Sequence, residues 1–181
     1  GGGSIVTISA AQSGGSIVTS GTNADGVMAH ANNATATGVV VQASQTGGTI
    51  ETSGGASPVF NGSSGVVALM EGQGTATASQ SAGASIVTQG DFGYGLSATT
   101  GITTGQGDVD VVQAGSITTH GVNAPGVYAA TRDGHAHVLQ EATGSITTFT
   151  TTATTTTTNT IYGNLYHPAY DDNVVQVVVE E

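Results

Sequence analysis

One short pattern recurs along the chain and restricts what it can fold into. A small residue, Ser or Thr, Ile, any residue and Thr appear as "GSIVT" (15–19), "GTIET" (48–52), "ASIVT" (84–88) and "GSITT" (115–119 and 144–148). A partial copy, "GSIVT", opens the chain at 3–7. The central isoleucines Ile17, Ile50, Ile86, Ile117 and Ile146 are separated by 33, 36, 31 and 29 residues. A constant motif at irregular spacing places the length variation in loops between repeating strands.

Two further signals share this period. A glutamine precedes each isoleucine: Gln12, Gln45, Gln80, Gln113 and Gln140. Apolar or alternating stretches run up to a glutamine in "TGVVVQ" (37–42), "GDVDVVQ" (107–113) and "HAHVLQ" (135–140). After the isoleucine comes a glycine with aliphatic and small residues: "DGVMAH" (25–30), "SGVVALM" (64–70), "GYGLSA" (93–98) and "PGVYAA" (125–130). Each unit thus holds three short β-type segments punctuated by Gly, Asn, Asp and Ser turns. No stretch has a helical period.

Composition explains why such units must stack. Charged residues make up 7 % of the chain and aromatic residues 4 %, whereas glycine alone accounts for 29 of 181 residues. Large side chains are too few for an ordinary core, and charge is too low for a solvated disordered chain. A three-segment unit cannot bury its own apolar face; stacked units in register can, at ~4.8 Å per layer. The expected fold is all-β, a parallel β-solenoid of about five irregular rungs over residues 1–148. A Thr-rich linker or extended strand (149–160) and a non-repeating C-terminal tail strand (161–181) follow. The glutamines are expected to form an axial amide ladder.

The repeated "SIVTSGTNADGVMA" (16–29) and "SITTHGVNAPGVYA" (116–129) resemble the passenger regions of bacterial autotransporters. The resemblance covers roughly residues 1–148. It implies a right-handed β-helix and a secreted, extracellular or bacterial cell-surface protein. The family's C-terminal membrane barrel is absent from this sequence, and the start "GGGSIVT" reads as a processed or excised piece.

Charge excludes some partners. With one Lys or Arg (Arg132), twelve acids and a net charge of −11, the chain suits neither nucleic acid nor an anionic membrane surface. No cysteine is present, so disulfides are excluded.

Aligning the three apolar stretches and "TATASQ" (75–80) on their final glutamines assigns faces by period-two alternation. Val40, Ala78, Val111 and Val138 point inward, as do Gly38, Ala76, Val109 and Ala136. Val39, Thr77, Asp110 and His137 point outward, with Thr37, Thr75, Asp108 and His135. Asp108, Asp110, His135 and His137 then share one outer patch whose chemistry suits a divalent ion such as zinc. An ordinary solvated face explains the same four residues, and no other cofactor is implied. His30, His120 and His167 are isolated. No catalytic constellation stands out, so the chain is not read as an enzyme; polysaccharide lyase or hydrolase chemistry is set aside for want of paired acids and basic substrate-binding residues.

The tail departs from the repeat. "FTTTATTTTTNT" (149–160) is low-complexity, and "NVVQVVVEE" (173–181) is a strong β-former. That segment serves either as a cap on its own solenoid or as a strand pairing with a neighbour through Val174, Val175, Val177, Val178 and Val179. Thr150–Thr160 would supply the reach. The function expected is a structural extracellular solenoid, the subunit of a head-to-tail surface filament or an adhesin stalk. The alternative is a monomeric passenger fragment that binds surface glycans, other cell-surface proteins or, in last place, ice.

Overall fold

A computed structural model of the chain describes residues 5–32, 38–54, 62–100, 107–149 and 173–177. The described residues form fifteen strands and no helix. Each full turn of the coil carries three: β1 (Val6–Gln12), β2 (Ser16–Thr19) and β3 (Val27–Ala31); β4 (Val39–Gln45), β5 (Thr49–Thr52) and β6 (Val66–Met70); β7 (Gly74–Gln80), β8 (Ser85–Gln89) and β9 (Leu96–Thr100); β10 (Asp108–Gln113), β11 (Ser116–His120) and β12 (Val127–Thr131). Then come β13 (Ala136–Gln140), β14 (Ser145–Phe149) and β15 (Asn173–Val177). They stack as three five-stranded sheets, β1-β4-β7-β10-β13, β2-β5-β8-β11-β14 and β3-β6-β9-β12-β15. The chain is therefore a parallel β-solenoid of four full turns, extended by β13 and β14.

The recurring letters become columns. Ile17, Ile50, Ile86, Ile117 and Ile146 are successive register partners in the second sheet. All but Ile17, on the uncovered first turn, are buried. The glycine opening each third segment exists for this column. A Cβ on Gly26, Gly65, Gly95 or Gly126 would collide with Cγ2 of Ile50, Ile86, Ile117 or Ile146 in the next turn. The motif's final threonine is also dictated by packing. Thr52, Thr88 and Thr119 are buried, and their hydroxyls donate to the carbonyls of Ser63, Gly93 and Ala124 across the turn, at 2.6, 2.9 and 2.6 Å. A buried hydroxyl without such an acceptor would be costly.

The likeness between 16–29 and 116–129 has a backbone cause as well. Gly21 and Gly121 have φ of 136° and 138°, and Asn23 and Asn123 have φ of 56° and 53°. Gly and Asn are the residues that adopt positive φ most readily.

Two face assignments need correction. The alignment on Gln42 places Val40 and Gly38 inward, but Val41, Ala43 and Gln45 are the buried residues of β4, with Val39 half-buried on the same side. The ladder glutamine of this turn is Gln45, which pairs with Gln12 and Gln80. Gln42 and Gln45 are three residues apart, and an odd offset exchanges the two faces of a strand. The opening "GSIVT" is likewise no member of the isoleucine column. Val6 and Thr7 belong to β1 in the first sheet, and Ile5 precedes it with 74 % of its surface exposed. Its place before Gln12 decides the matter, because Gln12 is the register partner of the ladder residue Gln45 in the first sheet.

The tail strand pairs antiparallel with β12 of its own chain, Val174 opposite Ala130, Val175 opposite Ala129 and Val177 opposite Val127. Val178, Val179 and Thr150–Thr160 lie outside the described residues. The repeat strands extend to Phe149, which ends β14 and stacks on His120 with ring centroids 4.7 Å apart.

Candidate functional site

The outer surface of the first sheet carries the Asp–His patch. In-register pairing of β10 with β13 sets Asp110 directly beside His137. His137 Nδ1 lies 3.3 Å from the Asp110 carboxylate, and His135 Nδ1 lies 3.2 Å from that of Asp108. Asp108 also accepts a hydrogen bond from the His135 backbone N–H at 3.1 Å. All four expected residues therefore share one face, but as two side-by-side pairs. The side chains are 50–77 % exposed. No group of three or more His, Asp or Glu side chains among the described residues comes together as a metal-binding cluster. Each histidine ring meets one carboxylate, and no third ligand joins either pair among the described residues. Exposed ion pairs contribute little to stability. His135→Ala with His137→Ala is therefore expected to change the unfolding free energy by less than about 1 kcal/mol. Zinc is expected to leave the melting temperature of both proteins unchanged; a rise in the parent alone would place an ion on the patch.

An open groove of about 530 Å³ adjoins this patch, lined by Gln73, Thr75, Asp108, Asp133 and His135 with Gly38, Gly74, Gly107 and Gly134. Its polar lining offers hydrogen-bonding groups to solvent.

Asp25 is a site that reading the repeats did not single out. It occupies the column held by Ser64, Tyr94 and Pro125 in later turns, as the successive glycines after them show: Gly26, Gly65, Gly95 and Gly126. Its carboxylate accepts the Ser64 N–H at 2.8 Å. Burial pushes its pKa up to about 6, against the lowering effect of that hydrogen bond. The alignment of "NADGV" with "NAPGV" identifies the column, but burial of the carboxylate depends on the neighbouring turn.

The sign of this shift is destabilising above the ordinary carboxylate range. The folded protein holds a proton that the unfolded chain releases near pH 4, so this group's contribution falls as the pH rises from about 4 to about 6. Asp25→Asn keeps an oxygen acceptor for Ser64 and removes the charge. It is expected to stabilise the protein by about 1–2 kcal/mol at pH 7, after allowance for partial solvent screening, with the gain vanishing near pH 4. Urea unfolding at the two pH values measures it, and an equal gain at both would refute the charge explanation.

The interior holds a second polar system. Gln45, Gln80 and Gln113 are fully buried, and Gln12 nearly so. The Gln45 amide donates to Gln12 Oε1 at 3.1 Å, Gln80 to Gln45 at 3.1 Å and Gln113 to Gln80 at 3.5 Å. Each of these amides also donates forward, to a carbonyl in the next turn: Gln12 to Thr49, Gln45 to Ser85, Gln80 to Ser116 and Gln113 to Ser145. Gln140 breaks the series. Its amide donates to Gly144 O at 3.1 Å, and Gln113 Oε1 is left buried without a partner.

No protein family, curated protein or solved structure matches the chain.

Proposed function

We propose that this protein is a structural extracellular β-solenoid, the subunit of a self-assembling surface filament or adhesin stalk. One observation carries the reading: the stabilising contacts repeat along a single axis, so each layer presents to the next the same columns that it receives. Ile8, Ala10 and Ile17 point along the core columns yet remain only partly buried, and Val6, in line with Ile8, is 54 % exposed. Uncovered strand edges with apolar side chains are templates for pairing. Strand β15, at the outer end of the third sheet, offers its remaining edge to a neighbouring subunit. Head-to-tail addition of this kind does not close and yields an open polymer.

Electron microscopy of the purified chain tests this reading. Five layers at ~4.8 Å make a body about 24 Å tall along the axis, so rods several times longer establish assembly. Single particles at high concentration would overturn the filament reading and leave the monomeric binding module. Backbone pairing further implies rods that persist at high salt, where a charge-driven contact weakens.

A further inference from the structure

The interrupted amide ladder specifies how two copies would meet. In the inner turns each ladder glutamine has a carbonyl of the following turn as acceptor, and these carbonyls form the column Thr49, Ser85, Ser116 and Ser145. The first member of that column, by register, is Ser16. Gln140 has no following turn among the described residues, and it alone of the five glutamines makes no forward or backward ladder bond. Gln12 stands at the opposite end of the described ladder, where its amide donates to Gly15 O and Thr49 O.

We infer that a second copy of this chain docks its first turn on β13 and β14 in parallel register, so that the glutamine ladder and the isoleucine column run on from one subunit into the next. The inference rests on the filament reading and adds the joint. In that register Ser16 of the second copy supplies the carbonyl that Gln140 lacks, and Gln12 of the second copy donates to Gln140 Oε1. With its amide held in the column, Gln140 is placed to donate to Gln113 Oε1, the buried acceptor now without a partner. Ile17 of the second copy stacks on Ile146, and Ile8 and Ala10 stack on Ala136 and Val138. Each pair repeats a combination of columns already present inside the molecule. A buried amide gains from a complete set of partners and loses heavily from an incomplete one, which favours this register over a slipped one. A one-residue slip would also turn Ile8 and Ala10 outward.

Cysteine crosslinking reads the register directly, because the chain has no cysteine of its own. Ser9 and His137 end one outward column, running Ser9, Gln42, Thr77, Asp110, His137. Within one molecule they are four layers apart; across the joint they are neighbours. Ser9→Cys with His137→Cys, treated with a short bismaleimide, is expected to give a ladder of covalent oligomers. Ala11→Cys with His137→Cys is offset by two residues and is expected to give at least tenfold less. Equal ladders from the two, or rods without a ladder from the first, would overturn the joint while leaving the filament reading intact. Absence of rods from the parent protein would overturn the filament reading itself.

A second pair of variants tests polarity. Ile17→Lys places an ammonium on the uncovered first turn, where the isolated subunit leaves it access to water. Val138→Lys does the same at the other end. Neither is expected to polymerise alone, and mixing them is expected to give heterodimers, since each retains the end that the other has lost. Polymers from Ile17→Lys alone would overturn the head-to-tail joint.

Discussion

Ile86→Asp is expected to unfold the whole solenoid. Ile86 is fully buried between Ile50 and Ile117, with Gly65 of the preceding turn shaped to receive its Cγ2. An ionised carboxylate there has no cationic partner, since the chain's one Lys or Arg is Arg132, on the far side of β12 in the sequence. Burying it costs several kcal/mol, and losing the isoleucine packing adds about 2–5 kcal/mol. A solenoid of this length cannot survive as two halves. Fewer than three stacked repeats do not bury enough core, and the substitution leaves only two turns before it. Circular dichroism at pH 7 is expected to show no cooperative melt. Ile17→Asp, on the half-exposed first turn, is expected to retain one. Equal melts for the two variants would mean that the column carries no central load.

Gln80→Ala is expected to be the most damaging polar truncation. The Gln80 amide donates to Gln45 Oε1 and to Ser116 O, and Gln80 Oε1 accepts from Gln113. Alanine removes all three bonds, leaves Gln45 Oε1 without its donor and opens a void in a buried interior. A buried acceptor left unsatisfied costs about 1–3 kcal/mol, and the cavity adds to it, for a total loss of about 3–4 kcal/mol. Gln140→Ala removes a single bond at the half-buried end of the ladder and is expected to cost about 1 kcal/mol. Urea unfolding of both variants measures the contrast. Similar losses would show that the ladder is a set of independent contacts with no added cost for breaking it in the middle.

Much of the rung is legible in the repeats themselves. The isoleucine column, the small inward residues of β7, β10 and β13, and the pairing of Asp110 with His137 all follow from alternation and from aligning one repeat on the next. The failures have a common physical origin. Gln42 and Gln45 both satisfy the local pattern for a strand-ending glutamine, and only the amide bonds to Gln12 and Gln80 select Gln45. The opening "GSIVT" has the letters of a second-sheet strand, but its place before Gln12 puts Val6 and Thr7 in the first sheet. Asp25 looks like a turn residue, and turns are normally solvated; the Ser64 turn stacked on it is what desolvates its carboxylate.

By itself, the sequence determined what is local to a turn of this protein: which residues alternate inward, which isoleucines share a column and where the Gly, Asn, Asp and Ser turns fall. These depend on the backbone of a few residues and on the layer directly above, which carries the same letters. Only the tertiary structure decided the antiparallel run of β15 along β12, the half-burial of Asp25 and Ile17, and the break in the ladder at Gln140. Those are properties of the ends of the stack. A repeat describes its own neighbours, but at an end the next layer is missing, and the contacts there depend on what remains to cover it.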